Sequence, residues 1–301
     1  MVRLFSFALL IAVLSLPANA GEVKIKHGGL TLNANLNVAL GKTLADGVVL
    51  MLHGNLAHKD MEIIRALQDL LLERKISNLA INLSLAQDDR RGMNDCAGPH
   101  RHKDSNAVKE IALWVDWLKA KGAGPVTMLG HSRGGNQIAR YVAGSPDAPD
   151  SIVIRAVLVA PATWRPGKEA KGYSNRYQKD LAPLLEKARA LVKAGKGSEL
   201  MEGVDFIYCH NTKVAAATFV DYYRGYPDRD TPSVIKRIKM PVLAVVGSED
   251  RVNPNFAARM KGTAQANVKF IVVEDAGHFF RDLFGEDLAD AVAEFVGAGG
   301  E

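Results

Sequence analysis

One stretch, Val126-Thr127-Met128-Leu129-Gly130-His131-Ser132-Arg133-Gly134-Gly135, constrains this chain more than any other. An apolar, β-rich run ends in Gly-x-Ser-x-Gly and passes at once into a helical pattern over residues 136–143. A serine on so tight a strand-to-helix turn stands exposed, in a strained backbone conformation. The flanking chain comes so close that a Cβ at Gly130 or Gly134 would clash, and glycine removes the clash. The following helix aims its first N–H groups, with their partial positive charge, at the place where an oxyanion would form. A plain glycine turn reads the same way in isolation, so the companion residues decide.

Strand and helix patterns alternate around this turn. Residues 22–40 alternate apolar and polar as an antiparallel edge hairpin would. Residues 47–54 form a continuous apolar run closed by glycine, the pattern of a buried parallel strand. Residues 61–72 have helical spacing, residues 78–85 read as a strand, and residues 104–118 form an amphipathic helix. A further buried strand is expected over residues 152–160. This alternation predicts an α/β fold: a mostly parallel sheet with helices on both faces. It breaks over residues 163–235, which are charged, aromatic and largely helical in pattern. That segment reads as an inserted cap, with the core in residues 21–162 and 236–301. Strand patterns return at residues 240–247 and 268–273, with helices expected from Pro254 and over residues 283–296.

A nucleophilic serine needs a base, an acid to orient that base, and donors for the oxyanion. Open α/β sheets place such groups beyond the C-terminal ends of their strands. Asp250 lies in Gly247-Ser248-Glu249-Asp250-Arg251-Val252-Asn253-Pro254, just past a strand. Pro254 suits a first helical position and makes Asn253 the helix cap, which leaves Asp250 without a local duty. Glu249 is the second choice of acid. His278, in Ala276-Gly277-His278-Phe279-Phe280, follows the last strand and is the candidate base. The oxyanion donors are the N–H of Arg133 and that of Asn55 or Leu56, in the loop His53-Gly54-Asn55-Leu56. His53 and Gly54 let this loop turn toward the serine, and His53 reads as structural rather than as a proton carrier.

These residues resemble the α/β-hydrolase superfamily through His53-Gly54, Gly130 to Gly135, Pro241 to Asp250 and Gly277-His278. The resemblance spans nearly the whole chain after residue 20. It implies an eight-stranded sheet, a helical cap after the sixth strand, and a Ser132–His278–Asp250 triad. The family commonly carries Asp-x-Arg-Gly-x-Gly-x-Ser after its fourth strand, where this chain has residues 82–92 of another pattern. The implied reaction is hydrolysis of a carboxylic ester through an acyl-enzyme, on a small-molecule acyl substrate and without a cofactor. A thioesterase, peptidase, acyltransferase or carbon–carbon hydrolase would use the same triad. A binding protein on a hydrolase scaffold is the reading from another class. Serine at the elbow speaks against the epoxide hydrolases and dehalogenases of the superfamily, which use aspartate there.

Residues 1–20 read as a cleavable export signal: Arg3, an apolar run over residues 4–16, and Pro17-Ala18-Asn19-Ala20 before the cleavage point. The expected location is the periplasm or the outside of the cell, with no membrane span left after cleavage. Loss of Arg3 takes the formal charge from +5 to +4, spread along the chain. No arginine-rich run or interleaved aromatics point to nucleic acid. Two cysteines, Cys96 and Cys209, invite a disulfide in an oxidising compartment. Such a bond would pin the cap to the core. Cys96, His100 and His102 lack the spacing of common zinc motifs, and their segment reads as a polar rim loop without a metal.

Overall fold

The computed structural model describes residues 20–144, 151–260, 262 and 265–297. The expected export signal lies outside the described residues apart from Ala20, where the first strand begins. The first half of the chain runs β1 (Ala20–His27), β2 (Leu30–Asn37), β3 (Val48–Leu52), α1 (Glu62–Glu73), β4 (Asn78–Ile81), α2 (Ala107–Ala120), β5 (Val126–His131), α3 (Arg133–Gly144) and β6 (Val153–Val159). An insertion follows: α4 (Lys168–Tyr177), α5 (Ala182–Lys193), β7 (Leu200–Phe206), β8 (Cys209–Ala215), α6 (Ala216–Tyr223) and α7 (Thr231–Ile235). The chain then returns through β9 (Val242–Gly247), α8 (Phe256–Met260), β10 (Val268–Val273) and α9 (Phe284–Gly297).

Eight strands form one sheet in the order β1-β2-β4-β3-β5-β6-β9-β10. The strands from β4 to β10 in that order are parallel, and β1 and β2 form an antiparallel edge. The chain order reverses between β3 and β5, so a crevice opens beyond their C-terminal ends. Alternation of side chains along β3 builds both core layers. Val48, Leu50 and Leu52 join Ile111, Trp114 and Leu118 of α2 and Ile138 and Val142 of α3. Val49 and Met51 join Ile63, Ile64, Leu67 and Leu71 of α1 and Leu288 and Val292 of α9 on the other face. Burial on both faces is why these strands read as continuous apolar runs.

Three expectations need correction. The strand over residues 78–85 stops at Ile81, because side chains take over the hydrogen bonding beyond it. Asn82 donates to the Arg90 carbonyl, and the Ser84 N–H and hydroxyl both donate to the Glu110 carboxylate. The insertion is not wholly helical, since β7 and β8 pair as an antiparallel hairpin. Asn253 is not a helix cap: α8 starts at Phe256, and the Asn253 side chain instead joins Thr163 to the Ala160 carbonyl.

Cys96 and Cys209 form a disulfide with Cα atoms 5.3 Å apart. It ties the loop after β4 to the hairpin. Main-chain bonds from His100 N–H to the Lys213 carbonyl and from Ala215 N–H to the His100 carbonyl reinforce the tie. Among the described residues, no helix is long and apolar enough to cross a membrane.

Candidate active site

Ser132 follows β5 directly, with φ +55°, in the left-handed region that side chains avoid. Its neighbours over-determine this conformation. The Ser132 N–H donates to the Val159 carbonyl at 2.9 Å, and the Ser132 carbonyl accepts from the N–H groups of Ala162 and Asn136. The turn closes so tightly that a Cβ at Gly130 would lie 2.4 Å from the Gly134 carbonyl oxygen. One at Gly134 would lie 2.3 Å from the His53 carbonyl oxygen. Glycine at both places is therefore a packing requirement of the elbow.

His278 Nε2 lies 3.0 Å from Ser132 Oγ, and His278 Nδ1 lies 2.9 Å from Asp250 Oδ2. The structure thus joins three residues from three loops, after β5, β9 and β10, in one hydrogen-bonded chain. The Asp250 loop is held against the His278 loop by a bond from the Glu249 N–H to the Ala276 carbonyl. Glu249 is exposed, whereas Asp250, which meets His278, is 5% exposed. Asp250 does carry a local duty: its Oδ1 accepts from the N–H groups of Val252 and Asn253 at 2.8 and 3.0 Å. Burial alone would raise its carboxyl. The bonds from His278 and from these N–H groups outweigh burial and hold it below the usual carboxylate range.

The loop after β3 passes beside the elbow serine, with Gly54 packed against His131 and Ser132. Asn55, Ser132 and Arg133 share the wall of one cleft of about 340 Å³, and Leu56, beside Asn55, has φ +52°. His53 anchors this loop. Its Nδ1–H donates to the Gly54 carbonyl at 2.9 Å, and its Nε2 accepts from the Leu83 N–H at 3.2 Å. Burial, with Arg90 beside it, pushes its pKa down to about 3 and keeps the ring neutral.

Two side chains of the site escaped sequence reasoning. Arg90 is buried and donates to the carbonyls of Leu83, Ala57 and Gly92 and to Asn82 Oδ1, stitching the His53 loop to the loop after β4. His131 donates through Nε2 to the main-chain carbonyl of His278 at 3.0 Å. Its position next to Ser132 was the one available signal.

The rim-loop residues Cys96, His100 and His102 make contacts of another kind. Cys96 is in the disulfide, His100 meets Asn94 Nδ2, and His102 meets the Tyr222 hydroxyl at 3.0 Å. Both rings pack on Phe206. Among the described residues there is no cluster of three or more His, Cys, Asp or Glu able to hold a metal.

The chain is similar in sequence to two characterised proteins. The chain is 27% identical over 165 residues to a bifunctional esterase/perhydrolase of Acinetobacter calcoaceticus, covering 51% of this chain and 59% of that protein. The chain thus matches less than two thirds of that relative's length. It is 27% identical over 225 residues to a non-heme chloroperoxidase of Streptomyces lividans, covering 69% of this chain and 79% of that one. Among solved structures, Est1E of Butyrivibrio proteoclasticus superimposes with a TM-score of 0.60 at 20% identity, covering 92% of this chain and 97% of that one. Residues 49–295 match the alpha/beta hydrolase family, and with its sheet and elbow the chain belongs to that family.

Proposed function

We propose that the chain is an exported serine esterase, with Ser132 as nucleophile, His278 as base and Asp250 as the orienting acid. The carrying observation is the unbroken Ser132–His278–Asp250 hydrogen-bond chain at the foot of the cleft. His278 takes the Ser132 proton as the serine attacks an ester carbonyl. The N–H of Arg133, at the start of α3, and that of Asn55 or Leu56 hold the oxyanion. His278 then returns the proton to the departing alcohol, and water hydrolyses the acyl-enzyme. The Cys96–Cys209 disulfide supports an oxidising compartment, in keeping with the signal-like residues 1–20. Residues 163–235 serve as the cap that roofs the cleft.

The test is hydrolysis of short-, medium- and long-chain p-nitrophenyl esters beside Ser132→Ala. Activity abolished by the substitution supports the reading. An inactive wild type that also resists a fluorophosphonate probe at Ser132 sinks it. The sequence relatives, an esterase/perhydrolase and a non-heme chloroperoxidase, favour one second reading, acyl transfer to hydrogen peroxide instead of water. Peracid formed from an ester and added peroxide would mark it.

A further inference from the structure

The cleft is electrically lopsided. Arg133, Lys168, Arg176 and Arg229 line it, and Glu169 is the one carboxylate among its lining residues. Three of these cations are already engaged by main-chain carbonyls. Lys168 donates to Thr163, Arg176 to Ile207, and Arg229 to Tyr222 and Asp221. Arg133 is different.

Behind the wall lies Asp104, 3% exposed. Its oxygens accept from Gln137 Nε2 at 2.9 Å and Arg140 Nη1 at 2.6 Å. Arg133 Nη1 and Arg229 Nε stand off at 3.5 and 3.6 Å. Three guanidiniums thus face one carboxylate, whose hydrogen bonds go to Arg140 and Gln137 and not to Arg133 or Arg229. The neighbouring Asp221 is bonded to Ser105 and faces Arg224. Arg133 lies over the Tyr222 ring, with its Cζ 5.4 Å from the centroid, and its Nε is buried without a partner. Burying surplus positive charge is costly unless a counter-charge completes it. A guanidinium with unspent donors beside the nucleophile is a fork shaped for an oxyanion group.

We propose that the cleft takes an ester whose acyl or alcohol part carries an anionic oxygen group, a carboxylate or a phosphate, held by Arg133. The proposal rests on the serine-esterase reading for its turnover arm and not for its binding arm. Binding is measured by calorimetry on Ser132→Ala, titrated with glutarate and, separately, with glycerol 3-phosphate. One of these anions is expected to saturate a single site. Arg133→Gln is expected to weaken it by about tenfold to a hundredfold, the usual worth of a charged hydrogen bond. Arg133→Lys restores part of the loss. The anion that binds tighter tells carboxylate from phosphate.

Turnover is measured as kcat/KM for monoethyl glutarate against ethyl butanoate. Wild type is expected to favour the charged ester by a similar factor, mainly through KM, and Arg133→Gln to collapse that ratio. A wild type that prefers the neutral ester, with a Ser132→Ala that binds neither anion, overturns the proposal and leaves the esterase reading standing. Anion binding that depends on Arg133, without turnover of either ester, upholds the anion site and removes the esterase reading. Anion binding unaltered by Arg133→Gln also overturns the proposal.

Discussion

His131 and His278 are joined twice: the His131 Nε2–H donates to the His278 carbonyl, and the two rings lie 4.9 Å apart. His131 is 1% exposed, and its other ring nitrogen has no partner. Burial pushes its pKa down to about 3, so it is a neutral donor throughout the working range. The residue beside the proposed nucleophile therefore fixes the main chain of the proposed base. Replacing it by leucine keeps bulk and removes the bond. His131→Leu is expected to lower kcat by about tenfold with little change in KM, since a small misplacement of a reacting group costs up to about a hundredfold. Slower fluorophosphonate labelling of Ser132 would accompany it. A change confined to thermal stability, with kcat intact, would assign His131 to packing alone.

Asp250 permits a sharper substitution. One of its oxygens accepts two main-chain N–H groups and the other faces His278 Nδ1. In Asp250→Asn the amide oxygen can keep the main-chain bonds, which leaves an N–H group facing His278. That favours the tautomer with Nδ1 bare and Nε2 protonated, which cannot accept the serine proton. The loss in kcat is expected at about 10⁴-fold, with the fold and melting temperature nearly kept. A loss under tenfold would leave Asp250 a purely structural role.

The residues that form the core declared themselves because burial imposes a pattern. The apolar runs of β3, β5 and β9 are covered on both faces. Ser132, Asp250 and His278 each stand just past a strand, where a parallel sheet gathers its loops. The hairpin of β7 and β8 was hidden for physical reasons. Its register shifts between Met201 and Val204 and again between Val204 and Phe206, which breaks the two-residue period. Its turn runs through Ile207, at φ +59°, rather than through a glycine. Arg90 was illegible because it joins carbonyls and a side chain near it in sequence to Ala57, 33 residues away, a contact only the fold creates. Its basic neighbourhood read only as a departure from the family pattern.

The disulfide has a measurable worth. It closes a loop of 113 residues, which in the chain-entropy model stabilises by about 4–5 kcal/mol. The Cys96→Ser/Cys209→Ser double variant should show that loss in urea unfolding. The native hairpin keeps its main-chain bonds to His100, so esterase activity at low temperature should survive. Activity lost before stability would show that the bond shapes the cleft itself.

Buried histidines make stability acid-sensitive. His53, His102 and His131 have pKa values pushed down to about 3 by burial. In the unfolded chain each would titrate near its ordinary value of about 6.5. Below that pH the unfolded chain binds more protons than the native one, so stability is full above about pH 6.5 and falls as pH drops toward 3. Each ring contributes a slope of about 1.4 kcal/mol per pH unit once well below 6.5. Glu110 acts in the opposite sense, because burial raises its carboxyl and its native form gains a proton first. His58 and His100, also lowered by burial, act with the three rings, so stability is expected to fall by several kcal/mol, on the order of 4, per pH unit between pH 5.5 and 4.5. Asp104 and Asp250, held low in the native state, add to the loss only below about pH 4. Urea midpoints measured across this range should show the slope, and His53→Gln should reduce it by about one proton. A flat profile from pH 6.5 to 4.5 would mean that these rings take up protons in the folded protein.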